Sequence, residues 1–381
     1  MPSRTLDRRA IDADEILDGI RRWVEIETPT YQAAQVNRLV DVVAEAMADI
    51  GFGTERRPGR NGFGDLLLAR SPWGTGPGIL VLSHLDTVHP LGTLDADLPF
   101  RREGDVAYGP GIYDMKGGAY LAYHAARQLA RTGRETPLPI TFLFAPDEEV
   151  GSPTSREAIE HEGRRAKYVL VTEPARDGGR CVTGRRGVAR FEIRTHGRPA
   201  HSGSRPEDGR SAIREMAHQV LAVEAMTDTA RGITTTVGLI QGGTAANVVP
   251  AECRATIDLR FRDAASGEAA AAAIRGLRPH DPDLKIVVTG GINRPAYVKT
   301  AAIQALYEQA RALAAEVGLD LGEVPQTGGG SDGNFTAALG IPTLDGLGVD
   351  GGGAHTLQEH IDLASLAPRA ALWRRLFETL S

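Results

Sequence analysis

Short apolar runs alternate with amphipathic stretches along the first half of the chain. Ile16, Leu17, Ile20, Trp23 and Val24 recur at helical spacing behind Asp12 or Asp14, either of which can cap the helix, and Thr28-Pro29 ends it. A second amphipathic helix turns Val36, Leu39, Val40, Val43, Met47 and Ile50 inward and stops at Gly51. Leu66 to Ala69 reads as a short strand. Ile79 to Leu82, Ile140 to Ala145 and Tyr168 to Thr172 are brief apolar runs bounded by turn residues, the signature of buried strands. Helices are predicted between them, from about Ala119 to Arg131 and near Thr154 to His161. Strands alternating with helices predict a largely parallel sheet covered on both faces, and in such sheets sites gather at the carboxyl ends of strands.

The pattern changes near Arg186. Val188 to Thr195, Ile233 to Ile240, Cys253 to Phe261 and Leu284 to Thr289 read as strands, with helices over Asp208 to Met226 and Ser266 to Leu277. Strand, helix, strand, strand, helix, strand is the ferredoxin-like order. The α/β pattern resumes with a helix from Ala301 to Val317, a short helix, a strand near Pro342 to Leu347 and a final helix ending at Leu380. The expected architecture is therefore α/β. A three-layer domain with a mixed, mostly parallel sheet is built from residues 1–185 and 296–381, and an α+β ferredoxin-like domain of residues 186–295 is inserted into it. A chain of 381 residues suits two such domains.

Charge narrows the partners. The 43 basic and 49 acidic residues leave a net charge of −6, which argues against a nucleic-acid surface. Met1 to Ile20 is charged throughout, without the apolar centre of a signal peptide, and no run approaches membrane-spanning length. The expectation is a cytoplasmic protein with no membrane contact. Cys181 and Cys253 match no metal-binding spacing and read as free thiols.

Chemistry concentrates where apolar runs hand over to loops. Ser83-His84-Leu85-Asp86-Thr87-Val88 closes the first buried strand. On an extended chain His84 and Asp86 point to the same side, so Asp86 can accept a hydrogen bond from one imidazole nitrogen while the other binds a metal. A histidine merely packed at a strand end is the plain alternative. Asp114, Glu149 and Glu173 stand at further handovers, and His355 lies in a glycine-rich loop. A mixed histidine and carboxylate set suits zinc or another late divalent ion. Five ligands exceed what one tetrahedral zinc takes, whereas two ions sharing a carboxylate would use them all. Glu148, beside Glu149, is then left to move a proton between a metal-activated water and a leaving nitrogen.

These segments, with Gly111-Ile112-Tyr113-Asp114-Met115-Lys116-Gly117-Gly118, Asp147-Glu148-Glu149-Val150-Gly151-Ser152, Glu173-Pro174 and Ala354-His355-Thr356, occur in the order and spacing of a known family. The sequence resembles the co-catalytic zinc exopeptidases and deacylases that include bacterial glutamate carboxypeptidase, aminoacylase, acetylornithine deacetylase and succinyl-diaminopimelate desuccinylase. The resemblance implies one Zn2+ held by His84 and Glu173, another by Glu149 and His355, and Asp114 bridging both, with Co2+ or Mn2+ as possible substitutes. It makes Asp86 the orienting partner of His84 and Glu148 the general base and acid. It also implies a cis peptide at Asp114-Met115.

The inserted segment resembles the family's lid and dimerisation domain, which implies a homodimer. In Gly197-Arg198-Pro199-Ala200-His201-Ser202-Gly203, His201 matches the histidine that reaches the partner subunit's active site and stabilises the oxyanion. Without that motif, His201 would read as a surface residue at a strand end. Asn247 matches a substrate-positioning asparagine. Within the family the glutamate carboxypeptidase branch is most similar. Arg260 and Arg294 stand where that branch has arginines for the terminal carboxylate, and Arg180 falls near a basic residue that meets the glutamate side chain. A guanidinium fork suits a carboxylate, although Arg260 also reads as a solvated charge on an edge strand. Arg180 replaces the branch's lysine after a one-residue gap, Val182 stands at a neighbouring polar position, and Gly330-Ser331-Asp332 departs from a Gly-His-Thr-Asp form.

The implied function is hydrolysis of an N-acyl amino acid or short peptide, with release of a carboxyl-terminal acidic residue. An N-acyl-amino-acid deacylase with a different amino acid is the alternative. A catalytically silent binding protein of the same fold would have lost a ligand or the base, yet all are present.

Overall fold

In the computed structural model, which describes residues 11–381, the first helix spans Ala13–Val24, and the side chain of its cap, Asp12, accepts from the Asp14 N–H at 2.9 Å. The part of the charged amino-terminal stretch over residues 1–10 lies outside the described residues. Ile16, Ile20, Trp23 and Val24 are buried on the inward face, as their spacing requires. The second helix, Ala33–Asp49, ends before Gly51, whose φ of 85° is a conformation glycine adopts without strain.

Among the described residues, six strands form one sheet in the order Gly53–Arg57, Leu66–Arg70, Ile140–Ala145, Gly78–His84, Ala166–Val171, Thr343–Leu344. Gly78–His84 runs parallel to both of its neighbours, with His84 opposite Ala145 and Leu82 opposite Val171. The Leu66–Arg70 strand is antiparallel, so the sheet is mixed but mostly parallel at its centre. Apolar side chains on both sheet faces are buried, in two separate clusters. That is why the strands read as continuous apolar runs.

The chain divides into two compact units. One comprises residues up to Gly184 with Lys299–Thr327 and Ser331–Ser381, and the other comprises Arg185–Val298 with Gly328–Gly330. The second unit carries four antiparallel strands in the order Thr234–Gly242, Glu252–Phe261, Gly187–His196, Lys285–Arg294, with helices Ala212–Glu224 and Ala264–Arg275. Its own core includes Phe191, Ile193, Met216, Ile257, Leu259 and Ile274.

Two small sheets escape the sequence pattern. A four-stranded one joins Gly351–Gly352, His360–Asp362, Val106–Tyr108 and Arg101–Glu103, and a two-stranded one pairs Glu323–Val324 with Cys181–Val182. Their strands are two or three residues long, too short for a period to register. The Pro342 to Leu347 strand contracts to Thr343–Leu344.

His124, on the Gly117–Thr132 helix, is fully buried. Burial, reinforced by the positive charge of Arg127, pushes its pKa down to about 4. Arg127 Nη2 lies 3.1 Å from Nδ1 and the Gln128 amide nitrogen lies 3.0 Å from Nε2, so the ring is flanked by donors and a second ring proton has no acceptor among them. Because the folded pKa lies below the ordinary value near 6.5, the unfolded chain takes up the proton first as pH falls. The stabilisation is complete above about pH 6.5 and lost toward pH 4, with an upper size of about 3 kcal/mol. His124→Gln should flatten the fall of the urea midpoint between pH 6.5 and 4.5; equal slopes in both proteins would refute this.

Candidate active site

Three adjacent strands of the large sheet deliver acidic or basic side chains at their carboxyl ends. Gly78–His84 ends on His84, Ile140–Ala145 runs into the turn of Glu148–Val150, and Ala166–Val171 is followed by Glu173. The Ser83 and Thr172 hydroxyls, 2.8 Å apart, brace two of these ends. Asp114 arrives from the wide, irregular turn Ile112–Lys116, whose backbone is non-helical at Asp114 and Met115, and the Asp114-Met115 peptide is cis. His355 comes from the glycine-rich loop with φ 64°, a backbone conformation uncommon outside glycine and often found at functional positions.

The side chains converge. His84 Nε2 is 3.2 Å from Asp114 Oδ1 and 3.9 Å from Glu173 Oε1. His355 Nε2 is 3.5 Å from Asp114 Oδ2 and 3.1 Å from Glu149 Oε2. The two oxygens of Asp114 thus face different histidines. One ligand atom each from His84, Asp114 and Glu149 lie within 4.8 Å of one another, and the same holds for His84, Glu148 and Glu173. His84, Asp114, Glu149 and Glu173 have side chains at most 11% exposed, whereas His355 is 53% exposed on the open side.

The electrostatics are those of a cluster short of positive charge. Burial would lower the His84 pKa, but hydrogen bonds with Asp114 and Asp86 outweigh it and hold the imidazole well above its ordinary value. Hydrogen bonds to Asp114 and Glu149 push His355 up to about 10. Burial would raise Asp114, yet the two histidines draw it below the usual carboxylate range. Burial raises Glu149 despite its bond to His355. Glu149 Oε1 is buried without a hydrogen-bond partner, a costly arrangement for a carboxylate oxygen unless a cation completes it. The donor set and this orphaned oxygen fit divalent metal.

Asp86 differs in detail from its expected role. The strand ends at His84, two residues before Asp86. His84 Nδ1 lies 2.9 Å from the Asp86 backbone carbonyl and 3.5 Å from its carboxylate. The carboxylate instead accepts the Glu148 N–H at 3.1 Å, the Glu149 N–H at 3.2 Å and the Thr30 hydroxyl at 2.8 Å. Asp86 thus meets His84 most closely through its main chain, while its carboxylate ties down the turn that bears both glutamates.

Sequence reasoning passed over two groups. Asp147 accepts the Thr154 N–H at 2.6 Å and the Ser155 hydroxyl, closing the loop behind Glu148 and Glu149. Glu359 is 1% exposed and accepts the N–H groups of Gly111, Tyr113 and Asp114, each at 2.9 Å. Its four-residue distance from His355 was the available hint, but a glutamate in a polar stretch carries no periodic signal.

In the second unit, Arg260 and Arg294 both stand opposite Val188, so they share one row across three strands. The Glu252–Phe261 strand has a partner on each side, which removes the edge-strand reading of Arg260. Arg260 is held by Asp258 at 2.6 and 2.9 Å and reaches the Gly328 carbonyl at 3.4 Å. Arg294 is 4% exposed, and its Cδ would lie 2.7 Å from a side chain at Gly330, so glycine there makes room for it. The bridge between His201 and Val248, with Ser202 N–H donating to the Asn247 carbonyl at 3.0 Å, joins the two exposed loops that carry His201 and Asn247. His201 Nδ1 accepts from the Gly203 and Ser204 N–H groups, both at 3.1 Å, so the neutral ring carries its proton on Nε2. Arg180 belongs to the first unit, where its exposed side chain lies over Gly322.

The chain is similar to known enzymes along nearly its whole length. Carboxypeptidase G2 of Pseudomonas sp. (strain RS-16) is 32% identical over 375 residues, covering 96% of this chain and 89% of that protein. Succinyl-diaminopimelate desuccinylase of Dechloromonas aromatica (strain RCB) is 30% identical over 388 residues, covering 97% and 99%. Two solved structures share the fold: aminopeptidase PepT of Bacillus cereus ATCC 10987, with TM-score 0.75, 24% identity and coverage of 97% and 98%, and the metallo-carboxypeptidase Sso-CP2 of Sulfolobus solfataricus, with TM-score 0.73, 16% identity and coverage of 97% and 99%. A profile of Peptidase family M20/M25/M40 matches residues 80–379, which takes in His84, Asp114, Glu148, Glu149, Glu173 and His355; the chain belongs to this family and is a peptide- or amide-bond hydrolase.

Proposed function

We propose that this protein is a two-zinc carboxypeptidase that releases a carboxyl-terminal acidic amino acid from an N-acyl or peptidyl substrate. The observation that carries the metal assignment is Asp114, whose Oδ1 is 3.2 Å from the imidazole of His84 and whose Oδ2 is 3.5 Å from that of His355. His84 and Glu173 would hold one ion, Glu149 and His355 the other, with Asp114 placed to serve both. Bound there, the ions supply Lewis acidity toward a carbonyl and lower the pKa of water. Glu148 takes the proton of the attacking water and returns it to the leaving nitrogen. His201, protonated on Nε2, donates to the developing oxyanion. Arg260, Arg294 and Asn247 bind the free carboxylate, the two guanidiniums acting from a single row of the sheet. Arg180 is the weakest member of this set, because it packs over Gly322. The similarity to a desuccinylase over nearly the whole chain supports a second reading, N-acyl-amino-acid deacylation with another leaving residue.

A panel of N-acylated amino acids, assayed with metal content on the same preparation, separates the readings. N-acyl-glutamate and N-acyl-aspartate should be the best substrates, and their α-amides should lose at least about tenfold in kcat/KM, the loss expected when a paired guanidinium contact is removed. Equal cleavage of amide and free acid removes Arg260, Arg294 and Asn247 from carboxylate binding.

The second unit also carries the proposed dimer interface. The Thr234–Gly242 strand is an edge of its sheet, and Leu239 and Ile240 on it are 70% and 57% exposed, as is Leu221 of the nearby helix at 71%. Sedimentation should give the mass of two chains, and Leu221→Asp combined with Leu239→Asp should give one; a dimer that survives both substitutions rules this face out.

A further inference from the structure

The turn that presents Asp114 has little regular structure to hold it, yet Asp114 has to aim its two oxygens in two directions. Four donors converge on Glu359. Its Oε1 accepts the N–H groups of Tyr113 and Asp114, both at 2.9 Å, and its Oε2 accepts the N–H of Gly111 at 2.9 Å and His89 Nε2 at 2.6 Å. His89 is 6% exposed. Only an ionised carboxylate can accept from all four. A glutamine of the same shape has one accepting oxygen, and its amide N–H groups would point at N–H donors.

We infer that Glu359, itself held by His89, is the positioning residue that aims Asp114 at both ion positions and so sets metal affinity. The inference rests on the two-metal reading above. Glu359 is not itself a ligand in this account, since both of its oxygens are taken by the Gly111–Asp114 turn and His89. His89 acts one step further out, by fixing the carboxylate that fixes the turn. Such outer partners of metal sites typically change affinity by roughly 10- to 100-fold when altered.

The test uses full-length protein stripped of metal and titrated with Zn2+ alone, then Co2+ alone, against a competing chelator. Glu359→Gln should weaken at least one ion by about 10-fold or more and alter the visible spectrum of the cobalt form. Should that variant fold poorly, the histidine decides. His89→Gln keeps a donor toward Oε2 and should stay near wild type, whereas His89→Phe keeps the ring volume, loses the donor and should weaken binding. A role confined to packing predicts the opposite order for the two His89 variants. Wild-type affinities and an unchanged cobalt spectrum in both Glu359→Gln and His89→Phe would overturn the inference. Failure of the unaltered protein to take up either ion would instead overturn the two-metal reading.

Discussion

Glu148→Gln is expected to lower kcat on the best N-acyl amino acid by about 10²- to 10⁴-fold, the usual contribution of a positioned general acid or base, while metal content stays at the wild-type level. The substitution conserves shape. The contact that anchors this residue to Asp86 runs through its backbone N–H, at 3.1 Å, and survives the change. Glu148 and Glu149 are consecutive on one short turn, yet their carboxylates serve different neighbourhoods. Glu149 Oε2 lies 3.1 Å from His355, whereas Glu148 groups with His84 and Glu173 within 4.8 Å. That grouping makes a second outcome informative. If metal is lost together with turnover, Glu148 is a ligand, and the proton must be moved by another residue. Unchanged turnover would remove it from the chemistry altogether.

Asp114→Asn should lower bound metal from two ions per chain toward one and reduce kcat/KM by at least about 100-fold. Asparagine keeps the volume and a single accepting oxygen, so one ion position retains its ligand. The other faces an amide N–H that repels a cation. The prediction follows from the two carboxylate oxygens facing different imidazoles, at 3.2 and 3.5 Å. Metal analysis together with a chelator competition on the purified variant reads it directly. Two ions held at wild-type affinity would show that Asp114 does not bridge.

The sequence was legible where one physical rule dominated. Strands buried on both faces must be apolar along their whole length, and Ile140–Ala145 is read to the residue for that reason. Polar groups that interrupt such a run at its end, as His84 does, stand out because a strand interior has no use for them. Legibility failed where short-range pattern was absent. The small sheet containing His360–Asp362 and Val106–Tyr108 is made by partners far apart in the chain. Its strands carry too few residues for alternation to appear.

The sequence by itself determined the layered α/β frame, the inserted α+β segment and the candidate ligands at strand ends, because hydrophobic periodicity and residue chemistry are local properties. Tertiary structure alone decided which atoms meet. It set the Asp86 carboxylate on the Glu148 and Glu149 backbone as well as 3.5 Å from His84, placed Arg260 and Arg294 on one row, and buried Glu359 beneath the Asp114 turn, 245 residues away in sequence. Hydrogen-bond geometry of this kind depends on positions fixed to within a fraction of an ångström by packing across the whole unit, and no window along the chain contains that information.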